Sequence, residues 1–470
     1  MQNLPNQEAP QGRSPPGVIY ATGVLVLVFA VLVVGLVWLH TPIQLLMLIS
    51  FIVSIPCAMR IGYSYKEVET LAFNMIYQAL PVIFIYLAVG ALIGAWILSG
   101  TVPTMIYAGL EIISPKYFFV TTLLLCSMTS LAVGTSFGTI GTMGIALMGV
   151  ASALGLPASI TAGAIICGAV FGDKMSPLSD TTNLAPAICG TDLMSHVKHM
   201  TWTTMPALFI TGVIFTAIGL HYEPSSGVVD QVGTIASTMG NTFKLGFIPM
   251  IPAVVVLVLL VLQKPAFVSI FIGALVGVLV AVTYQGASVS HALVVTYSGY
   301  HAKTGVIAID NLLSTGGVVS FLDLVALVLA ALGLAGILSG SGILQSLLNS
   351  FADKLTTDRR LVLASLAVTL VCNMIGSAIN VALVMAGTLM APLYAKSDLD
   401  PKNLSRATED AGTMTGFIIP WNLAATFAAK ALGVSPMVFI PFCFICFLTP
   451  LISALYAVTG FTITRKSVVH

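Results

Sequence analysis

Charged side chains are scarce in this chain: Lys, Arg, Asp and Glu make up 7% of its 470 residues, against about 25% in soluble domains. With 57% hydrophobic residues and a mean hydropathy of +1.03, there is too little polar surface to cover a water-soluble globule, and that class is excluded. Basic clusters are missing too. The formal net charge is +1 and no basic arm or helix tracks along the chain, so no nucleic-acid partner is expected. The seven cysteines lie mostly inside apolar segments, without the paired spacing of a zinc site or a secreted disulfide framework. Neither a P-loop nor a His-Glu-x-x-His motif occurs. Those absences argue against a membrane enzyme and against any cofactor.

What the chain has instead is apolar runs near the length of a spanning helix, at 18–39, 43–59, 80–99, 200–220, 246–263, 265–284, 321–340 and 435–459. The runs are continuous rather than alternating, so helices are expected and a barrel is not. The fold class that follows is an all-α polytopic membrane protein, passing many times through the cell's cytoplasmic (inner) membrane. The first run has a weakly charged lead-in and no convincing cleavage site, and reads as a retained helix rather than a signal peptide. Residues 1–17, rich in Pro, Gln and Asn, read as a disordered tail.

Two stretches of the chain echo each other. Gly94-Ala95-Trp96-Ile97-Leu98-Ser99-Gly100 returns as Ala335-Gly336-Ile337-Leu338-Ser339-Gly340, and Asn183-Leu184-Ala185 returns as Asn422-Leu423-Ala424 at nearly the same offset. The expected organisation is therefore two repeats, 18–245 and 246–470, as in transporters built by duplication. Each would hold a re-entrant hairpin, at 117–155 and 360–395, and a discontinuous helix, at 157–198 and 406–433. The hairpin arms look short for a full crossing. Placing the N-terminus inside puts most Lys and Arg on the cytoplasmic side, Arg406 among them, and leaves only Lys116, Lys244 and Lys303 outside. Both termini are then cytoplasmic, the repeats are inverted in topology, and about ten crossings are expected.

Polar chemistry concentrates where the first discontinuous helix should break, between Gly172 and Asn183. Pro177 removes a backbone donor and disfavours helical geometry at Ser176, which should free carbonyls. With Asp173, Ser176, Ser179, Asp180, Thr181, Thr182 and Asn183 these form an oxygen-rich patch, the hard-ligand setting of a small dehydrated cation. Asp173, Asp180, Thr181 and Asn183 are the expected Na+ ligands. If Na+ and H+ share Asp173 or Asp180, binding one expels the other, and these two carboxylates become the proton-coupling groups. Lys174 points away from Asp173 on a regular helix, so the two pair only if the backbone is unwound.

The matching break in the second half runs from Glu409 to Asn422. Thr413, Thr415 and Asn422 are ion-site candidates there, while Glu409 and Asp410 either join the site or stabilise a helix start beside Arg406. The hairpin tips offer Thr135, Ser136 and Thr139 from one repeat and Asn373, Ser377 and Asn380 from the other, as ligands or as packing residues. Gly168 to Gly172 and Gly273 to Gly277 match GxxxG and read as close helix packing. Asp192, His196 and His199 share one helical face, as a pH sensor or as an ordinary juxtamembrane segment. Asp323 and Lys430 are lone charges with snorkelling or interfacial readings.

The motif Phe171-Gly172-Asp173-Lys174-Met175-Ser176-Pro177-Leu178-Ser179-Asp180-Thr181-Thr182-Asn183, continued by Gly190-Thr191-Asp192-Leu193 and His196-Val197-Lys198-His199, closely resembles the NhaC family of Na+/H+ antiporters in the ion-transporter superfamily. The similarity covers most of the chain and is strongest from Ser136 to Pro206. The resemblance implies secondary active exchange of cytoplasmic Na+ for external H+. It also implies roles in the site for the matching positions Asp173, Ser176, Ser179, Asp180, Thr181, Thr182 and Asn183. Some relatives in that family couple these ions to small carboxylates, malate/lactate exchange among them, so an organic-anion exchanger is the alternative reading. Partners are then Na+, H+, small carboxylates in the alternative, and the lipid bilayer, with a homodimer as a compatible assembly.

Overall fold

The computed structural model describes residues 14–466 except positions 79, 113, 223–225, 307, 308, 311, 312, 353, 354 and 356. Of the tail expected over 1–17, residues 1–13 lie outside the described residues. The regular secondary structure of the described residues is helical, apart from one isolated bridge between Leu399 and Arg465.

The first half opens with the pair α1 (Val18–Val33) and α2 (Ile43–Arg60), then the amphipathic α3 (Tyr65–Gln78), the apolar α4 (Leu80–Leu98) and the short α5 (Thr101–Ile112). A helical hairpin follows. Its first arm is α6 (Phe118–Val133), and its second runs from α7 (Ser136–Thr139) through a π turn into α8 (Ile145–Ala153). Then come α9 (Ala158–Met175), α10 (Asp180–Cys189) and α11 (Leu193–Leu220), and α12 (Ser226–Thr242) leads to the second half.

There the same order returns: the pair α13 (Phe247–Val261) and α14 (Ala266–Val280), short α15 (Val289–Ser298), apolar α16 (Leu322–Gly340) and short α17 (Ile343–Ala352). A hairpin of α18 (Asp358–Gly376) and α19 (Ile379–Ala395) precedes α20 (Pro401–Thr415), α21 (Leu423–Leu432), the brief α22 (Pro436–Phe439) and α23 (Phe444–Thr459).

Among the described residues, 9 helices are long and apolar enough to cross a membrane, or up to 11 if each of two pairs bent by 92° and 91° is one span. The apolar run at 435–459 is not a single helix. Pro441 lacks the backbone donor a continued helix needs, and Cys443 leaves helical geometry at ψ 57° before α23 begins. The hairpin arms are longer than the sequence suggested: Pro115–Val133 spans 19 residues, Ser136–Ala153 spans 18 and Asp358–Gly376 spans 19. Each tip takes only two residues out of the helix, Gly134–Thr135 and Ser377–Ala378, and both tips use a left-handed residue followed by an extended one.

Small residues set the closest approaches. A Cβ on Gly168 would lie 2.4 Å from the Leu123 carbonyl oxygen, and one on Gly172 would lie 2.4 Å from the Leu131 nitrogen, so α9 rests directly on the backbone of α6. Gly273 meets Val256 and Gly277 meets Ala95 and Trp96 in the same manner. Packing between the halves is reciprocal: α4 lies against α14 and α15, and α16 lies against α2 and α3. At the centre are α9, buried from Ile160 to Met175, and α20, buried from Asn403 to Thr415. The second of these carries Arg406, Glu409 and Asp410 into the interior.

Candidate functional site

The two breaks and the two hairpin tips meet in pairs, each tip seated on the break of its own half. In the first half, α9 stays helical to Met175 and turns extended at Ser176 (φ −80°, ψ 125°), the geometry imposed on a residue before proline. The break is therefore Ser176 to Ser179, shorter than the sequence suggested. Gly134, left-handed at φ 74°, lies so close to Leu178 that a Cβ would sit 2.8 Å from it. Glycine lets the tip reach the break there. Ser176 donates to the Leu131 carbonyl at 2.8 Å and closes the contact.

Asp173 is the focus of this contact. Its Oδ2 accepts from the Ser136 amide at 3.0 Å and the Ser136 hydroxyl at 2.6 Å, and its Oδ1 accepts from the Ser179 hydroxyl at 2.5 Å. Thr181 Oγ1 stands 3.1 Å from Ser179 Oγ. All four side chains are buried. A hydroxyl both donates and accepts, so the shell that donates to an ionised carboxylate can turn its lone pairs to a cation beside it, or accept from a protonated carboxyl. The sequence Gly134-Thr135-Ser136-Phe137-Gly138 has the spacing of a hydrolase nucleophile elbow. It joins two helices where that elbow joins a strand to a helix, and its serine is committed to Asp173.

Other residues of the motif are placed differently from expectation. The carbonyls at the break are not free: Thr182 donates to those of Asp173 (3.2 Å) and Lys174 (3.0 Å), and Asn183 to those of Pro177 (2.8 Å) and Ser179 (2.7 Å). Polar side chains re-satisfy the interrupted ladder, as buried backbone requires. Asp180 and Asn183 are exposed, on the outer face of the first turn of α10. Of the four expected Na+ ligands, Asp173 and Thr181 are thus enclosed and Asp180 and Asn183 are not. At the tip, Thr135 caps α7 and Thr139 donates to the Thr135 carbonyl at 3.0 Å.

The second half repeats the arrangement with neutral groups. Helix α20 ends at Thr415, a turn of tighter helix covers Gly416–Ile418, and Asn422 caps α21 through the Ala424 amide at 3.0 Å. Asn373 at the tip donates to the Gly412 carbonyl (2.7 Å) and Thr415 Oγ1 (2.9 Å), and accepts from the Asn422 amide (2.8 Å). Ser377 has φ 51°; its carbonyl accepts from the Leu423 amide at 2.8 Å, and its buried hydroxyl has no partner among the described residues. Asn380 is exposed. Thr413 donates to Glu409 and Thr415 to the Ala411 carbonyl, both inside the helix. Asn373→Ala would leave a carbonyl, Thr415 and Asn422 short of partners, and about 1–3 kcal/mol of stability should go; a lowered unfolding temperature in detergent is the check.

Between the halves, Phe137 of the first tip packs at 4.9 Å on Phe427 and 6.5 Å on Phe417, while the Tyr86 hydroxyl donates to the Leu423 carbonyl at 3.0 Å. Behind this seam lies a buried charge cluster that the sequence did not reveal. Lys174 Nζ is 2.5 Å from Asp410 Oδ1, Thr203 donates to the same oxygen at 3.0 Å, and Arg406 Nε is 3.9 Å from Asp410 Oδ2. Lys174, Arg406 and Asp410 are 0% exposed, so Arg406 is not a solvated cytoplasmic charge. Nor do Glu409 and Asp410 open a helix; that role belongs to Asp400, which caps α20 at the Lys402 amide (3.0 Å). His196 and His199 are buried, with His196 Nδ1 2.7 Å from Ser405 Oγ, whereas Asp192 turns away to cap α11 through the Ser195 amide at 2.9 Å. Hydrogen bonds from Ser195 hold its carboxyl below the usual range. Lys430 is exposed and lines a cavity of about 570 Å³ with His40, Pro420 and Thr426.

The profile of the Na+/H+ antiporter family matches residues 168–461, which include both breaks. The chain is 39% identical over 434 residues to the malate-2H+/Na+-lactate antiporter of Bacillus subtilis (strain 168), covering 92% of this chain and 93% of that protein. It is 35% identical over 428 residues to the Na+/H+ antiporter NhaC of Alkalihalophilus pseudofirmus, covering 91% of each. It is 34% identical over 407 residues to the arginine/ornithine antiporter ArcD of Halobacterium salinarum, covering 86% of this chain and 84% of that protein.

Proposed function

Because the chain belongs to the Na+/H+ antiporter family, we propose that it is a multi-pass cell-membrane transporter exchanging Na+ for H+ by alternating access around the first tip and break. The observation that carries the site is the Asp173 carboxylate, buried and ringed by Ser136, Ser179 and Thr181. Na+ and H+ compete for it: the proton neutralises the charge that holds the cation, so each ion released on one side makes room for the other. Ser176, Thr182 and Thr139 shape this half of the site through the backbone, and Asp180 and Asn183 lie at its exposed approach. Asn373, Ser377, Thr415 and Asn422 form the neutral counterpart, with Thr413 and Asn380 beside it.

Alternating access needs two units able to rock against each other. The repeated helix order and the reciprocal packing of α4 on α14 and of α16 on α2 support inverted repeats. Arg465 Nη2 lies 2.8 Å from Asp358 and Lys466 donates to the Ser397 carbonyl at 2.7 Å. The basic residues in the first turn of α18 (Arg359 and Arg360), after α19 (Lys396) and near the end of the chain (Arg465 and Lys466) thus share one end, which supports a cytoplasmic C-terminus.

A second reading, proton- and Na+-coupled exchange of a small carboxylate, is favoured by the 39% identical relative. Lys174 cannot serve it, being paired with Asp410; Lys430, at its cavity, remains available. Reconstituted vesicles with an imposed pH gradient decide. Collapse of the gradient on adding Na+ alone is the expected result, and a requirement for malate or lactate would establish the second reading. In the same assay Asp180→Asn should raise the Na+ concentration for half-maximal exchange by only about 3–10-fold, since an exposed charge is screened by solvent; complete loss would move the site outward.

A further inference from the structure

We propose that the cavity at the C-terminal end of α21 binds a small monocarboxylate from the external side, with Lys430 as the cation that holds it. This gives the carboxylate of the second reading a site. It uses neither Asp173 nor its hydroxyl shell, and it stands whether or not a carboxylate is required for exchange.

A volume of about 570 Å³ is that of a small-molecule site. Lys430 is the one Lys or Arg lining it, and no Asp or Glu lines it. Among the described residues no anion pairs with this lysine. Its position in the last turn of α21 would suit a helix cap, but that end is closed without it: the amides of Gly433 and Val434 both return to the Ala429 carbonyl. A second source of positive potential borders the same space. The first turn of α2, at Ile43 and Gln44, lines the cavity and carries no side-chain cap, so the positive end of that helix adds to the field of the ammonium. Leu324, Leu327, Pro436 and Met437 supply apolar wall. One cation beside apolar wall matches a single carboxylate on a short carbon skeleton. A dibasic amino acid would bring a second cation with no acid to meet it, and phosphate is matched by several converging donors rather than one lysine.

The chain path sets the side on which the cavity opens. Ser346 of α17, which precedes the basic first turn of α18, donates to the Pro16 carbonyl at 2.6 Å, so α1 starts at the basic end of the molecule. From that end α1 leads to His40, and α20, starting at Pro401 just after Lys396, leads through the second break and α21 to Lys430. His40 and Lys430 meet at the cavity, which therefore lies at the opposite, external end.

The test is equilibrium binding of radioactive lactate to the purified protein in detergent, for the wild type, Lys430→Gln and Lys430→Arg. Saturable binding to the wild type is expected, weakened about tenfold in Lys430→Gln and kept within about threefold in Lys430→Arg. A second variant leaves the lysine in place. Met437 is 64% exposed and lines the cavity, while the native cysteines are buried or half-buried, so a membrane-impermeant thiol reagent added outside cells should label Met437→Cys. Lactate should slow that labelling about threefold or more, and ornithine or inorganic phosphate should not. Absence of saturable lactate binding to the wild type, equal affinity in Lys430→Gln, or labelling indifferent to lactate would each overturn the site, and labelling from the cytoplasmic side alone would overturn its sidedness. Na+-driven proton movement in lactate-free vesicles reports separately on the exchange at Asp173, so failure of either is distinguishable from failure of the other.

Discussion

Asp173→Asn should reduce Na+-dependent proton exchange to background, a fall of about 100-fold or more, equivalent to at least about 2.7 kcal/mol. Asparagine keeps the size of the side chain; its single oxygen can still accept from Ser136, and its NH2 then faces Ser179, whose hydroxyl can turn to accept. It cannot supply the negative charge. Taking Na+ out of water into an interior of hydroxyls and carbonyls is costly without an opposite charge, and Asp173 is the acid of the first break that is enclosed with its own hydroxyl shell. The variant also loses the group that would carry the proton, so both arms of the exchange should fail together. A pH-sensitive dye inside vesicles reads the proton arm and radioactive sodium uptake the other. Wild-type exchange with unchanged pH dependence would contradict the assignment.

Gly172→Leu should cost about 3 kcal/mol or more and abolish transport. Its Cβ would lie 2.4 Å from the Leu131 nitrogen and 2.5 Å from the Ser127 carbonyl oxygen. Both are backbone atoms, so no side chain can rotate aside and α9 must lift from α6. Asp173 is the next residue, and lifting α9 would carry it away from Ser136 on the tip that α6 supports. The expected result is a lowered unfolding temperature by size-exclusion after heating in detergent, together with loss of exchange. Gly240→Ala, where nothing lies within 4 Å, should be neutral or slightly stabilising by helix propensity. Equal unfolding temperatures for Gly172→Leu and wild type would show that the helices are not in the close contact described.

The first break was legible because its chemistry is local: an acid, hydroxyls and a proline crowded between apolar runs can be read from one window of sequence. The direction of each side chain was not. Asp180 and Asn183 belong to the same motif as Asp173, yet the first turn of α10 turns them outward. Thr182 and Asn183 close the broken backbone ladder in place of an ion. Helix α20 escaped hydropathy altogether, since Asn403, Ser405, Arg406, Glu409, Asp410 and Thr413 make it read as a surface helix. Two of its buried charges find partners on other elements, Lys174 and Thr203 for Asp410 and Thr462 for Arg406, and long-range pairing leaves no trace in local pattern. The available signal was symmetry: α20 and α21 stand where α9 and α10 stand in the first half, so a helix equivalent to the most enclosed one was due there. The same long-range packing enclosed His196 and His199, which sequence alone left open as a juxtamembrane segment.

Equilibrium binding of radioactive sodium to the purified protein, measured across pH for the wild type and Asp173→Asn, shows whether Na+ and H+ share the Asp173 carboxylate. Binding to the wild type should be saturable and should weaken as the solution is acidified, because protons take the same carboxylate, and the variant should show no specific binding at any pH. Undiminished sodium binding by Asp173→Asn would contradict it, and would place the cation elsewhere in the fold.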